Sequence, residues 1–250
     1  MRHLAPLTLA VALGLPFTAH ADPQDYVHVP TVEYGEREID FKAGTWKLKG
    51  EEAGRESGAS LGFGWGARPW WFTEAYVMYH KEIEGGTKYD AFEWENIFQL
   101  TEHNQYWLDL GLLTEIEIPK EHASEGYEFK IGPLLQKDFG DWRVNANLLL
   151  EHRYRGREQE SNSTEMSYEL QAKTAVARNI EAGVQAFGEM GRWNHWEAKD
   201  EQVHRIGPAI FGKVKLGEGR QAIRWNAAFL WGATDSSPKE SFRLQAEYEF

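Results

Sequence analysis

Cysteine is absent from the 250 residues, and basic residues are few beside acidic ones (27 Lys and Arg against 39 Asp and Glu, a formal net charge of −12). No apolar run reaches the ~20 residues that a membrane-crossing helix needs, which excludes a helical bundle in the bilayer. Without cysteine no disulfide can brace the chain. The acidic balance argues against a nucleic-acid surface, which would show a clustered basic face. What is plentiful points the other way from disorder: aromatic residues make up 14%, with 11 Trp and 24 Gly, despite a mean hydropathy of −0.59. That much aromatic surface is too great for a solvated coil, and its pairing with glycine favours β structure.

The N-terminus reads as a secretory signal peptide. Met1-Arg2-His3 is a short basic start, Leu4 to Phe17 is apolar, and Ala19-His20-Ala21 has the A-x-A form of a cleavage site. Export without cysteine requires a framework held by hydrogen bonds and packing. The expected organisation is a signal peptide over 1–21, a short periplasmic lead-in over 22–30, and one domain over 31–250.

That domain alternates with period two, the signature of strands with one apolar and one polar face. Trp142, Val144, Ala146, Leu148 and Leu150 alternate with Arg143, Asn145 and Asn147. Phe242, Leu244, Ala246, Tyr248 and Phe250 alternate with Arg243, Gln245, Glu247 and Glu249. Twelve such segments are predicted, near 31–49, 59–67, 70–82, 88–101, 105–118, 126–139, 142–154, 165–177, 180–191, 204–216, 221–234 and 241–250. Ten or fourteen are the alternatives. The second is read as short and bent because Gly62, Gly64 and Gly66 share a parity. Pro133 and Pro208 each forfeit a ladder hydrogen bond, which suggests a bulge or an end.

The connections sort by length. Tight ones (Arg68-Pro69, Glu102–Asn104, Gly140-Asp141, Arg178-Asn179, Gly217–Arg220) alternate with longer polar ones. Short turns at one end and long loops at the other are the habit of transmembrane barrels. Nearly every segment carries four or five sizeable apolar residues on one face and charges on the other. A small barrel has no room for so much apolar volume inside, so that face is assigned to lipid and the charged face to the lumen. Trp65, Trp70, Trp71, Tyr106, Trp107, Phe139, Trp142 and Trp225 cluster toward the tight-turn ends. Tyr79, Tyr154, Trp193, Trp196 and Trp231 lie toward the long-loop ends, giving two aromatic girdles.

The final run Arg243-Leu244-Gln245-Ala246-Glu247-Tyr248-Glu249-Phe250 resembles the C-terminal strand of Gram-negative outer-membrane β-barrel proteins. The resemblance implies an all-β, antiparallel up-and-down barrel of about twelve strands in the outer membrane, in contact with its lipids and lipopolysaccharide. It also implies that the barrel-assembly machinery reads Tyr248 and Phe250. No motif names a family within the class, whose twelve-stranded members include solute channels, a phospholipase, a deacylase and autotransporter translocation units.

On that topology the lumen receives acidic Glu74, Glu93, Glu95, Asp109, Glu115 and Glu117, with Glu36, Glu38 and Asp40 on the first segment. Basic Arg143, Arg153, Arg205, Lys213, Lys215, Arg224 and Arg243 line other segments. An acidic wall over segments three to five would face a more basic one over ten and eleven, a field suited to selecting small charged or polar solutes. The acidic excess favours cations or amine-bearing solutes. The expected role is a channel or solute-binding porin. The alternatives are a closed barrel whose loops bind a partner, and a lipid-modifying enzyme. For the last, His122-Ala123-Ser124 has the H-x-S spacing of the outer-membrane phospholipase, but Glu125 follows where that family has Asn-Gly. No catalytic residue is therefore assigned. His195 and His204 are the candidate metal ligands, in a stretch with no compact ligand spacing. No cofactor or nucleic-acid partner is expected.

Overall fold

The computed structural model describes residues 25–50, 54–155 and 163–250. The signal peptide and its cleavage site lie outside the described residues. Thirteen antiparallel strands form one sheet: β1 (Arg37–Lys47), β2 (Arg55–Arg68), β3 (Trp71–Lys81), β4 (Lys88–Gln99), β5 (Asp109–Pro119), β6 (Tyr127–Phe139), β7 (Trp142–Tyr154), β8 (Thr164–Ala177), β9 (Ile180–Arg192), β10 (His195–Trp196), β11 (Val203–Lys215), β12 (Ala222–Gly232) and β13 (Glu240–Glu249). One helical turn, α1 (His122–Glu125), sits between β5 and β6. β10 is a two-residue extension of the β9 hairpin. The other twelve strands close into a ring, because β1 pairs with both β2 and β13 and β8 pairs with β9. Closure removes every sheet edge, which is the condition for a sheet to exist in hydrocarbon.

The strands run 10 to 14 residues, enough for a tilted strand to cross a bilayer. Two-residue turns join β2 to β3, β6 to β7 and β8 to β9, all at the end that also holds the C-terminus. Gly140 and Asn179 take positive φ (60° and 62°) in the latter two turns. The connection between β4 and β5, expected to be tight, runs from 100 to 108. Asp109 organises it by accepting from the Asn104 backbone N–H (2.8 Å) and contacting His103 Nδ1 (2.6 Å).

Polarity is inverted relative to a soluble barrel. Ile39, Phe41, Leu61, Phe63, Val77, Phe92, Leu148, Leu170, Ile206, Ile210 and Phe242 are all exposed on the outer face. Asp40, Glu95, Asn145, Gln185 and Arg243 are buried on the inner one. Trp65, Trp70, Tyr106, Trp107, Phe139 and Trp142 are exposed toward the turn end, and Tyr79, Trp193, Trp196 and Trp231 toward the loop end. These are the two girdles that interfacial aromatic residues form.

Three expectations are corrected. β2 is a full 14-residue strand rather than a short one, with a register shift only between Gly66 and Arg68. Its glycines make room for neighbours: the side chain of Tyr76 lies across Gly62, and those of Phe72 and Glu38 across Gly64. Pro133 and Pro208 produce neither a bulge nor an end. β6 keeps an unbroken register with β5 through Pro133, and β11 with β9 through Pro208. Only the opposite ladder skips two residue pairs, without a shift. In each case a glycine precedes the proline and a neighbouring carbonyl closes onto it. A Cβ on Gly207 would stand 1.9 Å from Phe229 O, and one on Gly132 would stand 2.1 Å from Leu148 O. The lumen, finally, is not uniformly polar. Ile97, Leu113, Leu134 and Leu149 form one buried inward cluster, joined by Val32 and Phe72. Phe187, Ala209, Phe211, Ala228 and Leu230 form another around Val27.

Candidate functional site, a lumen filled by the N-terminal segment

Residues 25–30, expected as part of a periplasmic lead-in, run inside the barrel instead. Near the turn end the chain enters past β2, where Gly35 N–H donates to Gly66 O (2.9 Å). The Val32 N–H donates to Gln99 Oε1 (2.7 Å) on β4. Pro30 then packs against Gly111 of β5, where a Cβ would stand 2.8 Å from the proline ring. An inward side chain on β5 at that height would push the segment away. Val27 completes the apolar cluster on β9, β11 and β12.

His28 is the pivot. It is 5% exposed and sits between two strand carboxylates, Glu95 of β4 (1% exposed) and Glu169 of β8. Glu169 takes the His28 backbone N–H (3.0 Å) and both its oxygens lie 2.9 Å from Nδ1. On the other side Nε2 is 3.3 Å from Glu95 Oε2. Asn147 of β7 donates through Nδ2 to both His28 O (2.9 Å) and Glu169 (2.8 Å). Tyr26 donates its hydroxyl to Glu95. The Tyr26 ring also lies under the Lys42 ammonium, 3.3 Å from the centroid, with Tyr76 on another side at 3.7 Å. Asp25 pairs with Arg205 of β11. The segment thus reaches β2, β4, β5, β7, β8 and β11, and it spans the lumen rather than lining it.

Glu74, Glu95, Asp109 and Glu115 are buried, and Glu93 and Glu117 are half-buried on the same inward parity. Glu93 stands opposite Glu117, and Glu95 opposite Glu115 and Glu74. Cations on this side are sparse: Lys130 holds Glu115 (2.8 Å), and Lys42 lies 3.7 Å from Asp40. On this side Asp40 Oδ1 and Glu74 Oε1 are buried with no hydrogen-bond partner among the described residues, as is Glu189 Oε2 on β9.

The basic residues expected to make the facing wall more basic are largely neutralised. Most are paired with acids on their own side. Arg143 pairs with Asp138 (2.9 Å), Arg153 with Glu128, and Lys213 with Glu249 (2.9 Å). Arg224 contacts Glu249, and Glu33 and Glu36 at 3.8 Å each. Arg205 and Arg243 are buried, facing Asp25 and Gln185 respectively. Lys215 keeps the inward parity but is exposed at its strand end. Local pairing cancels much of the transverse field, and the acidic excess is concentrated on β1 and β3–β5, while Arg243 faces neutral Gln185 and Glu189 Oε2 on β9 also lacks a hydrogen-bond partner among the described residues.

The remaining candidates are not brought together. His195 is exposed on β10, while His204 on β11 contacts Tyr168 (2.9 Å) and Gln202 (2.8 Å). The hydroxyl of Ser124 donates to Glu121 O and His122 Nδ1 contacts Pro119 O, so both are occupied by local backbone and the pair forms no nucleophile–base contact. Tyr248 and Phe250 stack at 5.6 Å at the end of β13.

Sequence reasoning missed His28, Tyr26, Glu169 and Asn147 as members of one site. His28 and Glu169 are 141 residues apart. The segment carrying His28 has no periodicity that would assign it to a wall.

No family model and no curated protein matches this sequence. Among solved structures, the fold is similar to an outer membrane channel from Pseudomonas putida F1, at a TM-score of 0.56 and 11% identity, over 92% of this chain and 100% of the other. Weaker likenesses include the outer membrane protein Omp33 of Acinetobacter baumannii (TM-score 0.40, 8% identity, 86% and 98% of the two chains). Another is the β domain of a Bordetella autotransporter (TM-score 0.43, 13% identity, 86% and 99%). The class defined by fold and polarity is the closed twelve-stranded barrel of outer-membrane type.

Proposed function

We propose that this protein is a gated outer-membrane channel for small cationic, amine-bearing solutes, closed in this conformation by its own residues 25–32. The observation that carries the reading is the pair of buried carboxylate oxygens without partners, Asp40 Oδ1 and Glu74 Oε1, in an acidic patch next to the segment. A buried, unpaired carboxylate oxygen is costly. A passing ammonium group would satisfy it, and an anion would be repelled.

Export by the leader over 1–21, insertion among outer-membrane lipids and lipopolysaccharide, and recognition of Tyr248 and Phe250 by the assembly machinery belong to the same reading. The exposed apolar band and the girdles support it. A non-enzymatic role fits the engagement of His122 and Ser124 with local backbone.

The test is a reversal potential in planar bilayers under a salt gradient, recorded on the barrel lacking residues 22–31 so that current is carried. Cation selectivity is expected. Asp40→Asn with Glu74→Gln should move the reversal potential toward zero, because it removes the uncompensated charge while keeping volume. Anion selectivity of the parent barrel would overturn the proposed solute class.

A further inference from the structure

The surroundings of His28 are built as a metal centre is built. In metal sites a ligating histidine hands its second ring N–H to a carboxylate, which fixes the tautomer and aims the free nitrogen. Here Glu169 takes that part: its oxygens sit 2.9 Å from Nδ1, and Asn147 holds the carboxylate from behind. Nε2 then faces Glu95, whose neighbour across the β4–β5 ladder is Glu115. One ligating atom from each of His28, Glu95 and Glu115 lies within 4.8 Å of the other two, and all three residues are buried.

The 3.3 Å between His28 Nε2 and Glu95 Oε2 is long for a hydrogen bond to a carboxylate, where about 2.7–2.9 Å is usual. Two ligand atoms held about 2.0–2.1 Å from a tetrahedral ion stand about 3.3 Å apart, which is the observed spacing. Lys130 contacts only one of the two oxygens of Glu115, at 2.8 Å. Glu93 and Glu117 form a further cluster with Glu115. The local charge therefore favours a divalent cation over a monovalent one.

We propose that His28, Glu95 and Glu115 bind a divalent transition ion of the zinc type, with Glu169 as the positioning residue, and that the ion fastens the N-terminal segment to the barrel wall. One imidazole nitrogen with two carboxylate oxygens is a donor set that zinc accepts, leaving a fourth position for water. Binding replaces whatever proton Nε2 carries, so it releases protons. The inference rests on the placement of residues 25–32 and not on the transport reading, because binding can be measured in a barrel that carries no current.

The experiment uses the full mature chain in detergent micelles, stripped with a chelator, and titrated with Zn²⁺ by calorimetry and with Co²⁺ by visible absorption. A single tight site is expected, with the intense Co²⁺ bands of four-coordination. His28→Ala and Glu95→Gln should each weaken binding at least a hundredfold. Glu169→Gln, which leaves all three ligands in place, should weaken it about ten- to a hundredfold. His195→Ala should change nothing. Heat-dependent gel migration verifies that each variant is folded. His28 belongs to no strand, so its replacement leaves the barrel hydrogen bonds intact. Zn²⁺ affinity unchanged in His28→Ala, or no saturable binding by the parent chain, would overturn the proposal. So would ¹⁵N resonances showing both His28 ring nitrogens protonated in saturating Zn²⁺, the signature of an imidazolium held by two carboxylates. Failure here with conduction by the shortened barrel would leave the channel reading standing. Saturable binding by a barrel that stays silent would do the reverse.

Discussion

Deleting residues 22–31 after the signal peptide is expected to convert a barrel with rare, brief openings into one with stable single-channel steps, raising mean current at least tenfold. Twelve strands enclose more than the side-chain-filled interior of an eight-stranded barrel and less than the aqueous pore of sixteen. Whatever else occupies the lumen therefore decides whether it conducts. Val27, His28 and Pro30 are buried at the centre of this one, between walls as far apart in sequence as Glu95 and Glu169. Removing them costs the barrel no strand-to-strand hydrogen bond, since β1 begins at Arg37. The shortened protein should keep its heat-dependent gel shift. A synthetic peptide spanning Asp22 to Pro30, added on the periplasmic side, should restore closure. If the shortened barrel stays silent, the Ile97, Leu113, Leu134 and Leu149 cluster closes the passage unaided and the segment is not the gate.

Glu169→Ala should open the passage without shortening the chain. This carboxylate accepts from the backbone and side chain of His28 and is held by Asn147. Removing it leaves the buried His28 backbone N–H and Nδ1 without an acceptor, at a cost of about 3 kcal/mol or more, while Glu95 stays beside Nε2. At about 1.4 kcal/mol per tenfold, the ratio of open to closed barrels should rise on the order of a hundredfold. Glu169→Gln keeps an acceptor and should produce a smaller rise. Lys173→Gln, on the same strand but paired with Glu181 (2.8 Å), should leave the open fraction unchanged. Equal open probability in Glu169→Ala and the parent would show that the His28 contacts do not hold the gate.

The barrel itself was legible because period-two alternation is a local signal, and because too much apolar volume lay on one parity to fit inside. Ile206, Ile210 and Val214 on β11 declare the lipid face by themselves, and Arg205 and Lys213 the lumen. The inward apolar cluster was legible only in hindsight. It occurs where alternation lapses, at Leu112-Leu113, Leu134-Leu135 and Leu148-Leu149-Leu150, and in each run one leucine turns inward. The charge pairing was hidden for another reason. Parity places Arg143 and Arg224 in the lumen, but only the register of the ladders brings them to Asp138 and Glu249. The N-terminal segment was the least legible part. It makes no ladder of its own, and its hydrogen bonds reach partners 67 to 180 residues away. Length and composition alone made it look like a tether.

The greasy side chains of the strands touch lipid while the polar ones line an enclosed interior, and everything else follows from that inversion. The absence of cysteine makes it directly measurable. Single nitroxide labels at Phe41→Cys, Leu148→Cys and Ile210→Cys, in protein reconstituted into bilayers, should relax strongly with dissolved oxygen and weakly with a water-soluble nickel chelate. A label at Tyr34→Cys, at the turn end and exposed, should show the opposite. If the three strand labels instead answer to the nickel chelate, those faces meet water, and the barrel is not the inverted one described.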